Sequence, residues 1–292
     1  MSKKILITGS GGFVGKNLCQ LLKTDFNIMG IDRNVNEFVD KIVDISDVDL
    51  LTNVLNQFNP DEIIHLAALS NVEQCEAAPE LARRCNILPT ETLVAWADKN
   101  NKRVIFISSD YVFDGGKGNF NEDDQENPIQ YYGKTKLEDE RLVSTLKNYV
   151  ILRPTVIYGW DPGGMNFFMQ LFRNKQTGKK IKVATDQISN PTFVLDLCAL
   201  IGKVLHSNLS GKYITTGNVA LSRYDFSLKI CEYMGWNSDF IIPVKTSLLG
   251  QIAKRPLNNS TCNDRVVENF GGIFGDLEKN LDMIKLQIDR VI

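Results

Sequence analysis

Short apolar runs alternate with longer amphipathic stretches through the first half of the chain. Ile5-Leu6-Ile7, Ile28-Met29-Gly30-Ile31, Ile42-Val43, Glu62 to Leu66, Arg103 to Ser108 and Tyr149 to Leu152 read as strands, and helical patterns lie between them, the first beginning at Phe13. Strands that are near-continuously apolar bury both faces, which is the mark of a parallel sheet covered by helices on either side. The alternation therefore predicts an α/β fold built on a doubly wound parallel sheet.

After Arg153-Pro154 the rhythm loosens into a Gly-rich segment from Tyr158 to Gly164, then a helical pattern from Asn166 and a basic turn at Lys179-Lys180. A smaller, discontinuous C-terminal lobe that binds the substrate is expected to start here. The division that follows gives residues 1–157 to the main domain, with 193–218 returning to it as one more helix and strand. Residues 158–192 and 219–292 make the lobe. A closing helix from about Asp276 to Arg290 sets Leu277, Leu281, Ile284 and Ile288 at helical spacing, and Trp96, Trp160 and Trp236 read as packing residues.

Composition narrows the function. The 292 residues suit one large α/β domain with a lobe, and 43% apolar residues fill a sizeable core. Thirty-three Lys+Arg against thirty-five Asp+Glu, a net charge of -2, lacks the basic excess that nucleic-acid binding needs. The apolar run Ile5 to Ile7 is too short for a signal sequence or a membrane span, so a cytoplasmic protein with no membrane partner is expected. The six cysteines form no C-x-x-C pair, and the two histidines, His65 and His206, stand apart, so reduced thiols and no metal are expected.

Thr8-Gly9-Ser10-Gly11-Gly12-Phe13-Val14-Gly15 lies between the first strand and the first helix and spaces Gly9, Gly12 and Gly15 three apart. Glycines there permit a tight turn, close approach of a pyrophosphate and close helix-to-strand contact, while the helix N-terminus presents N–H groups to the anion. This reads as the dinucleotide turn of a Rossmann sheet, contacted by Gly9, Gly12, Phe13, Val14 and Gly15. Asp32 follows the second strand, where a carboxylate accepts from the adenosine ribose hydroxyls and favours NAD(H); Arg33 beside it can pair with a 2′-phosphate and keeps NADP(H) open. Asp44-Ile45 stands where it can flank the adenine, or Asp44 is an ordinary loop or capping carboxylate. His65, at a strand end, reads as a satisfied imidazole near the cofactor.

Tyr132 and Lys136 lie four residues apart, on one face of a predicted helix. The Lys136 ammonium, together with the positive nicotinamide of an oxidised cofactor, is expected to lower the pKa of Tyr132 toward working pH and make it a general acid/base. The strand Val104 to Ile107 ends in Ser108-Ser109-Asp110, at the carboxyl edge where ligands of doubly wound sheets bind.

On these residues the chain resembles the extended short-chain dehydrogenase/reductases that act on nucleotide sugars. The likeness runs through Thr8 to Gly15, Ile107 to Gly115, Tyr132 to Glu140, Asp186 to Thr192 and Arg255-Pro256 with Asn259-Ser260. It implies that Ser109, Tyr132 and Lys136 form a catalytic triad and that Ala67, Ala68, Arg153 and Pro154 border the cofactor. It also implies that Asp110, Tyr111, Asn166 and Arg255 face a nucleotide-sugar substrate. The expected reaction is NAD(P)H-dependent reduction of the C4 carbonyl of a nucleotide-linked 4-keto-6-deoxyhexose, in a protein that leaves room for a homodimer. A nucleotide-sugar C4 epimerase that retains NAD, and a non-catalytic regulatory subunit keeping the fold, are the alternatives.

Overall fold

A computed structural model of the chain describes residues 2–289. Its described residues form a seven-stranded sheet in the order β3-β2-β1-β4-β5-β6-β9, parallel throughout. The strands are β1 (Lys4–Thr8), β2 (Asn27–Asp32), β3 (Lys41–Ile42), β4 (Glu62–His65), β5 (Arg103–Ile107), β6 (Tyr149–Arg153) and β9 (Gly211–Ile214). The order reverses between β1 and β4, and there the carboxyl ends of the strands open a crevice.

Alternate residues of each strand feed two cores. Ile5, Ile7, Ile105 and Ile107 meet α1 (Phe13–Leu22) and α8 (Val194–Leu205) through Leu18, Leu22, Leu197 and Ile201. Leu6, Ile63, Val104 and Phe106 meet α2 (Val48–Phe58), α5 (Leu88–Lys99) and α6 (Tyr131–Val143) through Leu51, Leu55, Leu93, Trp96 and Val143. Between β4 and α5 run two short helices, α3 (Val72–Ala77) and α4 (Pro79–Ala82), and a π-helical turn, Arg83–Ile87.

A third apolar cluster packs Tyr158, from the loop after β6, with Phe168, Phe226, Ile230 and Ile284 of α7 (Phe167–Thr177), α9 (Arg223–Met234) and α11 (Leu277–Asp289), and Trp160 and Trp236 lie against it. Two small sheets flank it: β7 (Ile181–Ala184) beside β11 (Ile241–Val244), and β8 (Ile188–Ser189) beside β10 (Leu221–Ser222). A short α10 (Asp264–Phe270) follows the loop that carries Arg255. In α11 Leu281, Ile284 and Ile288 are buried, as their spacing predicts; Arg290, the expected end of that helix, lies outside the described residues.

Candidate active site

The turn after β1 is shaped by its glycines. Gly9 takes φ +72°, and a side chain on it would meet the Ala67 backbone nitrogen at 2.9 Å; a Cβ on Gly15 would stand 2.1 Å from the Gly9 carbonyl oxygen. Helix α1 therefore lies against the strand end. Its N-cap is Gly12, with no side-chain cap and no acidic residue in the first turn, so its leading N–H groups stay available to an anion. This geometry fits a dinucleotide pyrophosphate.

From the turn runs a cleft of about 510 Å³. Gly9, Gly12, Phe13, Val14 and Gly15 line one end, Asp32, Arg33, Asp44 and Ile45 the side, and Ala67, Ala68, Ser109, Tyr132, Lys136 and Pro154 the rest. Asp32 accepts from the Asn34 N–H at 3.1 Å through one oxygen. Asp44 accepts from the Ser46 N–H at 3.0 Å, the main cause holding its carboxyl below the usual range, while the helix-capping role falls to Asp47. Val156, which the sequence reading passed over, also lines the cleft and holds φ +42°, a conformation that strains a β-branched residue.

Helix α6 presents the titratable groups. A Cβ on Gly133 would lie 2.1 Å from the Tyr111 carbonyl oxygen, so only glycine lets the helix start press on the segment after β5. The Lys136 ammonium donates to the Ile107 carbonyl at 3.0 Å and sits 4.5 Å from the Phe106 ring centroid and 6.0 Å from that of Tyr132. Burial pushes Lys136 down, against the pull of Asp139 and Glu140. Asp139 is buried one turn on, and burial holds its carboxyl well above the carboxylate range despite Lys136.

Within the protein alone Tyr132 is shifted the other way from the effect expected of Lys136 with the oxidised cofactor. Its pKa is raised, first by burial and then by Asp110, where the lysine was expected to lower it. The reason is geometric: the Lys136 charge is itself buried and turned onto a backbone carbonyl, while the phenol stands among apolar walls and carboxylates. Ser109 accepts from the Tyr111 N–H at 3.2 Å and donates to an Asp110 oxygen at 3.0 Å.

Not every residue assigned to the site reaches the cleft. Arg153 is fully buried behind it, donating to Glu140 at 2.9 and 2.6 Å and to Glu126 at 2.6 Å; Glu140 also accepts from Ser108 at 2.6 Å. A guanidinium at the end of a doubly covered strand needs carboxylates, and α6 supplies one. Asp110 is also buried, accepting from Ser109, Thr155 and Asn259, so it braces Ser109 from behind. Asn166 caps α7 by accepting from the Met169 N–H at 3.3 Å and donates to the Gly159 carbonyl. Arg255 pairs with Glu73 at 2.6 Å and donates to the Ala253 carbonyl, which ties its loop to α3. Tyr111 stands edge-on to Tyr132, ring centroids 6.2 Å apart.

Sequence reading missed Arg223. It is the first residue of α9, and its guanidinium faces the Tyr111 phenol and lies 5.0 Å from the Phe167 ring centroid. A cation at a helix N-terminus opposes the helix dipole, a local conflict visible in the sequence after the capping serine Ser222. Among the described residues no group of three or more His, Cys, Asp or Glu could hold a metal ion, and no helix is long and apolar enough to cross a membrane.

Comparison with known proteins follows the same outline. The sequence model described as the RmlD substrate binding domain matches residues 3–285. A dTDP-4-dehydrorhamnose reductase from Aggregatibacter actinomycetemcomitans is 29% identical across 97% of this chain and 98% of its own length. The crystal structure of a Bacillus anthracis dTDP-4-dehydrorhamnose reductase in complex with NADP superposes with a TM-score of 0.90 at 28% identity, covering 98% of this chain and all of that one. The methionine adenosyltransferase 2 subunit beta of Xenopus tropicalis is 28% identical over 88% of this chain and 79% of its own.

Proposed function

The chain belongs to the family described by the RmlD substrate binding domain, and from that premise we propose that it reduces the C4 carbonyl of a nucleotide-linked 4-keto-6-deoxyhexose with a reduced nicotinamide dinucleotide. One observation carries the reading: a single cleft joins the Gly9–Gly15 turn to Ser109, Tyr132 and Lys136. The turn and α1 hold the pyrophosphate, Asp32 the adenosine ribose, and Ala67, Ala68 and Pro154 border the nicotinamide end. Bound there, the reduced cofactor supplies hydride to the sugar carbon.

The protein's own groups handle the oxygen. Reduction leaves negative charge on the C4 oxygen, and a phenol held above its ordinary pKa stays protonated at neutral pH, ready to donate. That direction of shift suits reduction. Ser109 orients the carbonyl by turning its hydroxyl from Asp110. Lys136 uses one of its N–H donors on Ile107, which leaves others for the ribose hydroxyls. Asp32 on the cleft wall favours NADH over NADPH, because its carboxylate repels a 2′-phosphate that exposed Arg33 only partly offsets.

The test offers a panel of nucleotide 4-keto-6-deoxyhexoses with NADH or NADPH, following absorbance of the reduced cofactor and identifying the product. Stoichiometric oxidation with a 4-hydroxy product is expected. Interconversion of 4-hydroxy sugars with no added cofactor would make the protein an epimerase, and inertness toward the whole panel would favour the regulatory reading.

A further inference from the structure

A second cavity, of about 130 Å³, lies where α8 meets α9 and α11, and it shares no lining residue with the cofactor cleft. Its walls are apolar: Phe193, Leu221 and Phe226, with the Tyr158 ring 5.5 Å from Phe193 and 5.0 Å from Phe226, centroid to centroid. Its floor is polar and incompletely paired. Buried Asn280 donates to the Tyr158 hydroxyl and to one oxygen of Asp196, both at 3.3 Å, and the Gly275 N–H reaches the same Asp196 oxygen at 2.9 Å. Both Asn280 N–H donors are thereby used. Among the described residues nothing donates to the second Asp196 oxygen or to the Asn280 carbonyl oxygen.

Other buried acids of the chain are better supplied. Glu140 has Arg153, Glu62 has Arg103 and Asp161 has Lys16, while Asp110 takes three side-chain donors. Half-buried Asp196 has neutral N–H groups on one oxygen and no cation within 4.0 Å among the described residues. Burial raises its carboxyl above the usual range, and only those neutral donors pull it back. A carboxylate drawn out of water without a cation is costly. The mouth of the cavity repeats the sign. Asp276 and Glu278 are exposed there; Asp276 has Lys279 at 3.5 Å, Glu278 has no cation within 4.0 Å among the described residues, and Lys229 is the one cation on the lining.

We propose that this cavity is a binding site for a small primary alkylammonium, whose N–H donors fill the unpaired Asp196 and Asn280 oxygens while its methylenes lie along Phe193, Leu221 and Phe226. Aromatic walls suit a cation as well as a hydrocarbon chain. Volume sets the size. A cavity of about 150 Å³ holds benzene, with about six heavy atoms, so this one takes about five, the size of n-butylammonium. The acidic mouth favours a second ammonium beyond the first, so a free diamine fits better than a lysine side chain of another protein, whose neutral backbone would stand at Asp276 and Glu278.

Ligand-observed NMR and calorimetric titration of the full chain test this with n-butylammonium, 1,4-diaminobutane, 1-butanol, butyrate and lysine blocked at both its amino and carboxyl ends. n-Butylammonium is expected to bind with Kd on the order of 1 mM, about tenfold or more tighter than 1-butanol or butyrate, and 1,4-diaminobutane tighter still. Blocked lysine binding tighter than the diamine keeps the site and moves the source to a protein side chain. Asp196→Asn keeps an acceptor for Gly275 and should weaken ammonium binding by about tenfold or more. Val219→Trp, at the exposed mouth, should do the same by closing the entrance, and decides alone if Asp196→Asn does not fold. Equal binding of 1-butanol or butyrate, wild-type affinity in either folded variant, displacement by NADH or thymidine diphosphate, or no binding of n-butylammonium up to about 50 mM each overturns the proposal. The site is independent of the nucleotide-sugar reading: a protein that binds n-butylammonium here and reduces no sugar keeps this inference and sinks that one.

Discussion

Acid should destabilise this protein through His65, and the hydrogen bonds around the ring say by how much. The Thr8 hydroxyl accepts from the Leu66 and Ala67 N–H groups, both at 3.2 Å, so its proton points to His65 Nδ1 at 2.7 Å. The Thr90 hydroxyl donates to the Asn86 carbonyl at 2.9 Å, which leaves its oxygen to accept from His65 Nε2–H at 3.2 Å. A proton on Nδ1 would remove the acceptor Thr8 needs and charge a ring that is 2% exposed. Burial first, and the Lys136 charge second, push the imidazole down from 6.5 to about 3. The unfolded chain therefore takes a proton near pH 6.5 that the folded chain refuses until about pH 3. Stability from His65 is complete above pH 6.5 and is lost as pH falls through that window, at up to about 1.4 kcal/mol per pH unit. By pH 5 the loss is about 2 kcal/mol. Urea unfolding of wild type and His65→Gln across pH 5–7.5 isolates it, because other titrating groups cancel in the difference. The wild-type advantage should shrink by about 2 kcal/mol from pH 7.5 to pH 5. A difference that does not change with pH, or a His65 ring proton titrating near 6.5 by NMR, would refute the reasoning.

Three further outcomes are expected. Tyr132→Phe should lower kcat by about 10²–10⁴-fold with cofactor affinity little changed, read from steady-state kinetics and cofactor titration; near-wild-type turnover would remove Tyr132 from the proton transfer. Asp32→Ala should move kcat/KM toward NADPH by taking away repulsion of the 2′-phosphate, and a wild type that already prefers NADPH strongly would put Arg33 in command. Glu140→Ala leaves Arg153 and Ser108 without their main acceptor in a dry site, so urea unfolding should show a loss of about 3–5 kcal/mol; a loss under about 1 kcal/mol would mean that Glu126, which already accepts from Arg153, shifts to take over the guanidinium.

Much of this was legible in the chain because the strands of a doubly covered sheet are apolar without interruption. Ile5 to Ile7 and Tyr149 to Leu152 lie inside β1 and β6, each of which extends only one residue past the apolar run at an end. The glycine turn was legible because its spacing reflects backbone contacts that only a missing Cβ allows. Legibility failed where a partner lies far along the chain. The pairings of β7 with β11 and of β8 with β10 join short segments with little pattern of their own. Arg153 follows an apolar strand as Ser108 does, and nothing local says that one side chain turns to Glu140 while the neighbouring Ser109 opens on the cleft. The upward shift of Tyr132 in the protein alone was out of reach for a related reason: a four-residue spacing places a charge beside a phenol but does not show that Lys136 is buried and turned onto the Ile107 carbonyl.

The seventh strand and helix α8 come from residues beyond 193, after the chain has left the sheet and come back. One face of the sheet therefore has two owners. Ile105, Ile107, Val150 and Leu152 are roofed by Val194, Leu197, Leu200, Ile201 and Val204, none of which exists in a fragment ending near residue 157. Such a fragment would carry every group of the dinucleotide turn and the Tyr132–Lys136 pair, and would still expose a flat apolar wall and the unpaired edge of β6. Cut there, the chain should aggregate rather than bind cofactor. On the ribosome, the half that looks self-sufficient must wait for residues made some forty positions later.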